Sequence, residues 1–133
     1  MSKSIMIVDD NDAIRRNLRT LFKTNGDWYV CAEAVNGLDA LQKCREFHPD
    51  FVVLDFSMPI MDGIEAAPKL KEISPKSPIV MLTAFKDRAL EEKAYRAGIT
   101  WVLSKNENMR KIVDFARVLM RPDAPVLIPE TGN

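Results

Sequence analysis

Histidine, cysteine and glycine are scarce in this 133-residue chain, with one, two and five residues respectively. Cys31 sits in a strand-like run and Cys44 in a helix-like one. They are too few for a disulfide framework or a zinc site and read as small buried hydrophobes in a reducing compartment. Net charge is also missing, because 19 Lys plus Arg balance 19 Asp plus Glu. Electrostatic binding of nucleic acid needs a basic excess, so direct nucleic-acid binding is not expected. No apolar run approaches the roughly 20 residues of a membrane-spanning helix, and membrane insertion is not expected either. Met1-Ser2-Lys3-Ser4 leads into a short apolar run without a signal-peptide layout, which points to a cytoplasmic chain. Internal repeats and a second domain are absent from the pattern. What remains is 47% apolar and 29% charged residues, the composition of one soluble globular domain.

Two periodicities alternate along the chain. Short β-branched runs appear at Ile5–Val8, Trp28–Ala32, Phe51–Leu54, Ile79–Leu82 and Thr100–Leu103. Several are almost continuously apolar, as strands covered on both faces are. Helical spacing lies between them: Ile14, Leu18, Leu21 and Phe22; more loosely Leu38, Leu41 and Phe47; and Ile112, Phe115, Ala116 and Leu119. This alternation predicts an α/β fold, a doubly wound parallel sheet with helices on both faces. Asn25-Gly26 should end the first helix, Asn36-Gly37 open the second and Gly98 cap the fourth. Pro68 falls inside the expected third helix and should kink it or delay its start. After Met120 the pattern stops, and Pro122, Pro125 and Pro129 mark an extended tail or truncated linker.

In an open parallel sheet, ligands gather beyond the carboxyl ends of the strands. The first strand-like run is followed by Asp9, Asp10, Asn11 and Asp12, and the third by Asp55. The fourth leads into Thr83 and the fifth into Ser104-Lys105. Asp9, Asp10 and Asp55 cannot cluster as anions without compensation, because like charges oppose mutual ionisation. Lys105 supplies one positive charge and leaves a deficit. A divalent cation would fill it, and all-oxygen ligation favours a hard ion such as Mg²⁺. A simpler role as a helix cap accounts for Asp12.

These residues carry a resemblance. Ile7-Val8-Asp9-Asp10, the run from Val53 to Gly63, Met81-Leu82-Thr83-Ala84, Ala97-Gly98 and Ser104-Lys105 occur in this order. Together they resemble the receiver domains of bacterial two-component response regulators over about residues 4 to 120. The Met58-Pro59 and Asp62-Gly63 pairs look most like regulators that carry a helix-turn-helix output domain. The resemblance implies a flavodoxin-like (βα)5 fold with strand order 2-1-3-4-5, a receiver over residues 1–121 and a tail over 122–133. It implies Asp55 as phosphoacceptor, attacking a phosphohistidine on a sensor histidine kinase or phosphotransfer protein. Asp10, Asp55 and the Ser57 backbone carbonyl would hold Mg²⁺, and Asp9 would help through bound water. Thr83, Ala84 and Lys105 would contact the phosphoryl group and carry the switch. The surface of the fourth helix, fifth strand and fifth helix would change, and homodimerisation there is the expected use. Such a chain is not an enzyme on a separate substrate; it accepts a phosphoryl group and slowly loses it.

The chain departs from the family in several places. The aromatic residue expected three positions before the lysine is Val102, and Trp101 beside it points to the opposite face. Phe85 is a candidate for a different readout. Ser57 and Phe85 hold the positions that, in the family this chain resembles, flank the path of hydrolytic water, so they are expected to modulate dephosphorylation, with slow decay. Asn106 replaces the proline common after the lysine, so a cis peptide is not expected there. His48 is the only histidine, which argues against an internal phosphohistidine relay. Lys86-Asp87-Arg88, Glu91-Glu92-Lys93 and Arg96 read as a solvated helix face. Leu90 and Tyr95 are that helix's only large apolar anchors, so shifting it should cost little.

Three other classes compete. An aspartyl-nucleophile phosphatase wants a second Asp two residues after the nucleophile, where this chain has Ser57. A flavodoxin-like cofactor binder needs a Ser/Thr/Gly-rich phosphate cradle, which Asp9-Asp10-Asn11-Asp12 would repel. A degenerate receiver, acting as a phosphorylation-independent interaction module, is opposed by the intact Asp10, Asp55, Thr83 and Lys105.

Overall fold

The computed structural model describes residues 3–26 and 28–120. Strands and helices alternate as β1 (Lys3–Val8), α1 (Asp12–Thr24), β2 (Trp28–Ala34), α2 (Gly37–Phe47) and β3 (Phe51–Asp55), followed by α3 (Gly63–Ile73), β4 (Ile79–Thr83), α4 (Arg88–Arg96), β5 (Trp101–Ser104) and α5 (Arg110–Leu119). All strand pairs are parallel and the order is β2-β1-β3-β4-β5, the expected doubly wound topology. The tail over 122–133 lies outside the described residues.

Alternation along each strand feeds two core layers. Met6, Val8, Val52, Leu54, Met81 and Val102 pack under α2, α3 and α4, with Ala40, Leu41, Ala66, Leu70 and Ala94. Ile5, Ile7, Phe51, Val53, Leu82 and Leu103 pack under α1 and α5, with Leu18, Phe22, Ile112 and Ala116. Each large side chain buried this way contributes about 1.5–3 kcal/mol. Val102 and Trp101 fall on opposite layers: Val102 is fully buried beneath α4, while Trp101 packs on Phe115 with ring centroids 4.5 Å apart.

The looser spacing of α2 misassigned two positions. Leu41 is buried, but Leu38 and Phe47 are exposed, and the inward face is Gly37, Ala40, Leu41 and Cys44. Smaller residues let α2 sit close to the sheet and α3.

Four helices begin where a strand has delivered the chain to the carboxyl edge, and a side chain fixes each start. Asn11, Asn36, Asp62 and Asp87 accept the backbone N–H of Ile14, Asp39, Glu65 and Leu90. At α3 the cap is reciprocal, since the Glu65 carboxylate accepts the Asp62 N–H at 3.1 Å. This box explains why Pro68 does not delay the helix: α3 starts at Gly63, five residues earlier. Pro68 lies on the exposed side, where a carbonyl that loses its N–H partner can turn to water. Gly98 closes α4 at φ +96°, with Ile99 N–H donating to Ala94 O and Gly98 N–H to Tyr95 O, a Schellman pair.

Candidate functional site

The exits of β1, β3 and β5 bring together Asp9, Asp10, Asp55 and Lys105. Each of the three carboxylates offers an oxygen within 4.8 Å of the others. Asp9 is fully buried, Asp55 is 2% exposed, and Asp10 faces solvent. Lys105 Nζ lies 3.0 Å from Asp55 Oδ1 and 3.4 Å from Asp9 Oδ2. Asp9 Oδ1 accepts the Asn11 N–H at 2.8 Å, whereas its buried Oδ2 has no hydrogen bond among the described residues.

Burial pushes the Asp55 carboxyl from 3.8 up to about 6, and the negative charge of Asp9 pushes the same way. The hydrogen bond and charge of Lys105 only partly offset this. For Lys105, burial disfavours the ammonium, but Asp55 and Asp9 outweigh it and the pKa rises. Near neutral pH the Asp55 carboxylate therefore faces a firmly charged Lys105 ammonium.

The backbone around Asp55 is tightly fixed. Phe56 N–H donates to Leu82 O and Gly63 N–H to Phe56 O, each at 2.8 Å. A Cβ on Gly63 would meet Asp55 O at 2.5 Å, so only glycine allows α3 to start here. Between them, Met61 N–H donates to Pro59 O across Ile60 at φ +73°. This is a rare and strained turn for an exposed β-branched residue. No sequence signal marks Ile60, since isoleucine is among the residues least suited to positive φ.

The other half of the constellation sits on a more open wall. Thr83 is buried, and its hydroxyl both donates to Phe85 O at 3.1 Å and accepts Phe85 N–H at 3.3 Å. That hydroxyl therefore serves its own loop. Ser57, Thr83, Ala84 and Phe85 line a cavity of about 570 Å³, together with Phe56, Ile64 and Leu90. Ser57 and Ala84 are exposed, and Phe85 is 75% exposed on the rim. Within α4 only Ala94 is fully buried, with Leu90 and Tyr95 partly covered.

One member of the expected solvated run behaves differently. Lys86 pairs with Glu107 at 3.1 Å, and Glu107 also accepts the Ser104 N–H and the Lys111 ammonium. These contacts, the Ser104 N–H foremost, hold the Glu107 carboxyl down to about 2. The clasp joins the loops on either side of the Thr83 and Lys105 positions. Sequence reading missed it because Lys86 and Glu107 are 21 residues apart. A second overlooked residue is Arg15 of α1, whose guanidinium reaches the Asp9 carbonyl at 2.7 Å.

The sequence pattern of the response regulator receiver domain matches residues 5–117. The transcriptional regulatory protein LnrK of Bacillus subtilis is 35% identical over 126 residues, covering 95% of this chain and 57% of LnrK. The chemotaxis protein CheY of Halobacterium salinarum is 32% identical, covering 86% of this chain and 93% of CheY. Among solved structures, a LuxR-family two-component response regulator from Aurantimonas has a TM-score of 0.83 at 29% identity, covering 90% of this chain and 86% of that one. The chain thus spans little more than half of LnrK and most of CheY.

Proposed function

Because the chain belongs to the response regulator receiver domain family, we propose that it is a phosphorylation-dependent switch that accepts a phosphoryl group on Asp55. The donor is a phosphohistidine on a partner sensor kinase or phosphotransfer protein. One observation carries this reading: Asp55 is nearly buried, faces two further carboxylates, and has Lys105 Nζ 3.0 Å away. A cytoplasmic location belongs to the same reading; among the described residues no helix is long and apolar enough to cross a membrane.

The site fits a divalent cation. The donors are all oxygen, and among the described residues the buried Asp9 Oδ2 has no hydrogen bond and meets only the Lys105 ammonium, at 3.4 Å. Asp10, Asp55 and the Ser57 carbonyl would hold Mg²⁺, with Asp9 acting through water. When bound, Mg²⁺ offsets the clustered carboxylates and neutralises charge on the phosphoryl oxygens.

In transfer, an Asp55 carboxylate oxygen forms a bond to phosphorus as the phosphorus–nitrogen bond breaks, and its electron pair stays on the imidazole. Lys105 pairs with a phosphoryl oxygen, a contribution of position and charge. Thr83 then turns its hydroxyl toward the phosphoryl group, and Ala84 follows on the same loop. That turn breaks both bonds to the Phe85 backbone and frees Phe85 to move at the mouth of the neighbouring cavity. Phe85 thereby serves as the readout in a chain whose β5 position is Val102. Converting a 1:99 population to 99:1 needs ~5.5 kcal/mol of differential interaction. The sparse anchoring of α4 keeps the opposing cost low, and the α4-β5-α5 surface changes with it, offering a route to homodimerisation. Ser57 lacks a basic group and Phe85 is apolar, so the acyl phosphate is expected to decay slowly.

The test is acetyl phosphate or beryllofluoride with Mg²⁺, comparing wild type and Asp55→Asn by intact mass and self-association. Mg²⁺-dependent modification of wild type alone is expected, persisting well beyond seconds after phosphodonor is removed. An unmodified wild type would leave only a phosphorylation-independent interaction module.

A further inference from the structure

Arg15 takes no part in the chemistry above, yet its side chain is only 14% exposed and touches three segments. Its Nη1 donates to the Asp9 backbone carbonyl at 2.7 Å, its Nε meets Glu33 Oε1 of β2 at 3.2 Å, and its Nη2 meets Asp12 Oδ1 at 2.9 Å. Glu33 is itself held from two sides, because Arg19 takes its other carboxylate oxygen and its backbone sits in the ladder opposite Ile7. The guanidinium fork is therefore fixed by β2 and α1 while it grips the carbonyl of the Asp9–Asp10 peptide. Asp10 needs such a constraint most. It is the exposed member of the carboxylate trio, whereas Asp9 and Asp55 are immobilised by burial.

We propose that Arg15, braced by Glu33, is a positioning residue that orients the Asp9–Asp10 peptide so that Asp10 meets the cation. This rests on the reading of Asp9, Asp10 and Asp55 as a Mg²⁺ site. Groups that orient metal ligands typically change affinity by about 10–100-fold when removed. A guanidinium acting only by its charge would have the opposite effect, since removing a positive charge beside a cation site strengthens cation binding. The sign of the change separates the two roles.

The experiment titrates Mg²⁺ alone into wild type, Arg15→Gln, Arg15→Lys and Glu33→Gln by calorimetry, with thermal unfolding to check the fold. Arg15→Gln is expected to weaken Mg²⁺ binding about 10-fold or more. Arg15→Lys keeps the charge but not the fork and falls between it and wild type. Glu33→Gln removes a negative charge, which by itself weakens cation binding, so Arg15→Lys, whose charge is unchanged, carries the test should Arg15→Gln fail to fold. Without Mg²⁺, amide exchange at Asp10 and Asn11 should rise in Arg15→Gln, and its deficit in acetyl phosphate labelling should shrink as Mg²⁺ increases. Unchanged or tighter Mg²⁺ binding in a folded Arg15→Gln or Arg15→Lys overturns the inference alone. Absence of Mg²⁺ binding in wild type overturns the metal reading and the inference together.

Discussion

On the β1–β3 side of the sheet's carboxyl edge, Asp9 and Asp55 are held by several contacts, whereas on the β4–α4 side one hydroxyl and one ion pair do most of the holding. Asp9 is fixed through its N–H to Ala34 O, its carbonyl to Arg15 and its carboxylate to Asn11. Asp55 sits on a backbone locked against Gly63. Across the edge, Phe85 is tethered by the Thr83 hydroxyl, Lys86 by Glu107, and a cavity of about 570 Å³ lies alongside. The contrast suits the switch proposed above. Phosphoryl transfer works through preorganised charge and position, while a signal needs a segment whose displacement costs little.

The largest effect expected is on the fixed side. Gly63→Ala forces a Cβ against the Asp55 carbonyl, which has nowhere to go, and should cost about 3 kcal/mol in chemical denaturation. The comparison would be blunted if that variant unfolded like wild type.

Asp55→Asn comes next, with the opposite sign. The folded pKa of about 6 lies above the unfolded value of 3.8, so the folded state binds more protons in that window and wild-type stability falls as pH rises through it. The variant escapes this loss. It should be more stable at pH 7 without Mg²⁺ by on the order of 1–3 kcal/mol, with the gap closing below about pH 4. Thermal unfolding across pH measures it, and an equal gap at all pH values would contradict the cause.

On the movable side, Thr83→Val should cost only about 1 kcal/mol through the lost Phe85 bonds. Labelling of Asp55 by acetyl phosphate should persist, while the phosphorylation-dependent change in self-association is lost. Glu107→Gln should have the smallest effect, confined to faster amide exchange around Lys86 and Ser104. Its carboxyl is held at about 2 against an ordinary 4.5, so the clasp is intact above about pH 4.5 and is lost as pH falls toward 2. Exchange rates unaffected by the substitution would show that the clasp restrains nothing.

The strand–helix alternation, the parallel sheet and the acidic exits of β1 and β3 were legible in sequence because period and position carry them directly. The separation of Val102 from Trp101 followed from strand geometry alone. What escaped depended on contacts between distant segments. Arg15 reads as one of several basic residues on α1 until the fold sets Glu33 beside it. Lys86 likewise reads as solvated until the β5–α5 loop delivers Glu107. Leu38 and Phe47 misled in the other direction, because helical spacing tells which residues share a face but not how closely a neighbouring helix approaches it. Pro68 looked like a breaker because the strength of the Asp62–Glu65 capping box is a matter of geometry.

The division between a fixed and a movable side is tested most directly by amide hydrogen exchange on the whole chain, with and without beryllofluoride plus Mg²⁺. Once occupancy of Asp55 has been verified by ¹⁹F NMR, altered exchange should concentrate in residues 83–96, with the exit of β1 and the start of α3 gaining protection only near the ligand. Changes spread evenly over both sides, or an unaltered β4–α4 segment at full occupancy, would contradict the account.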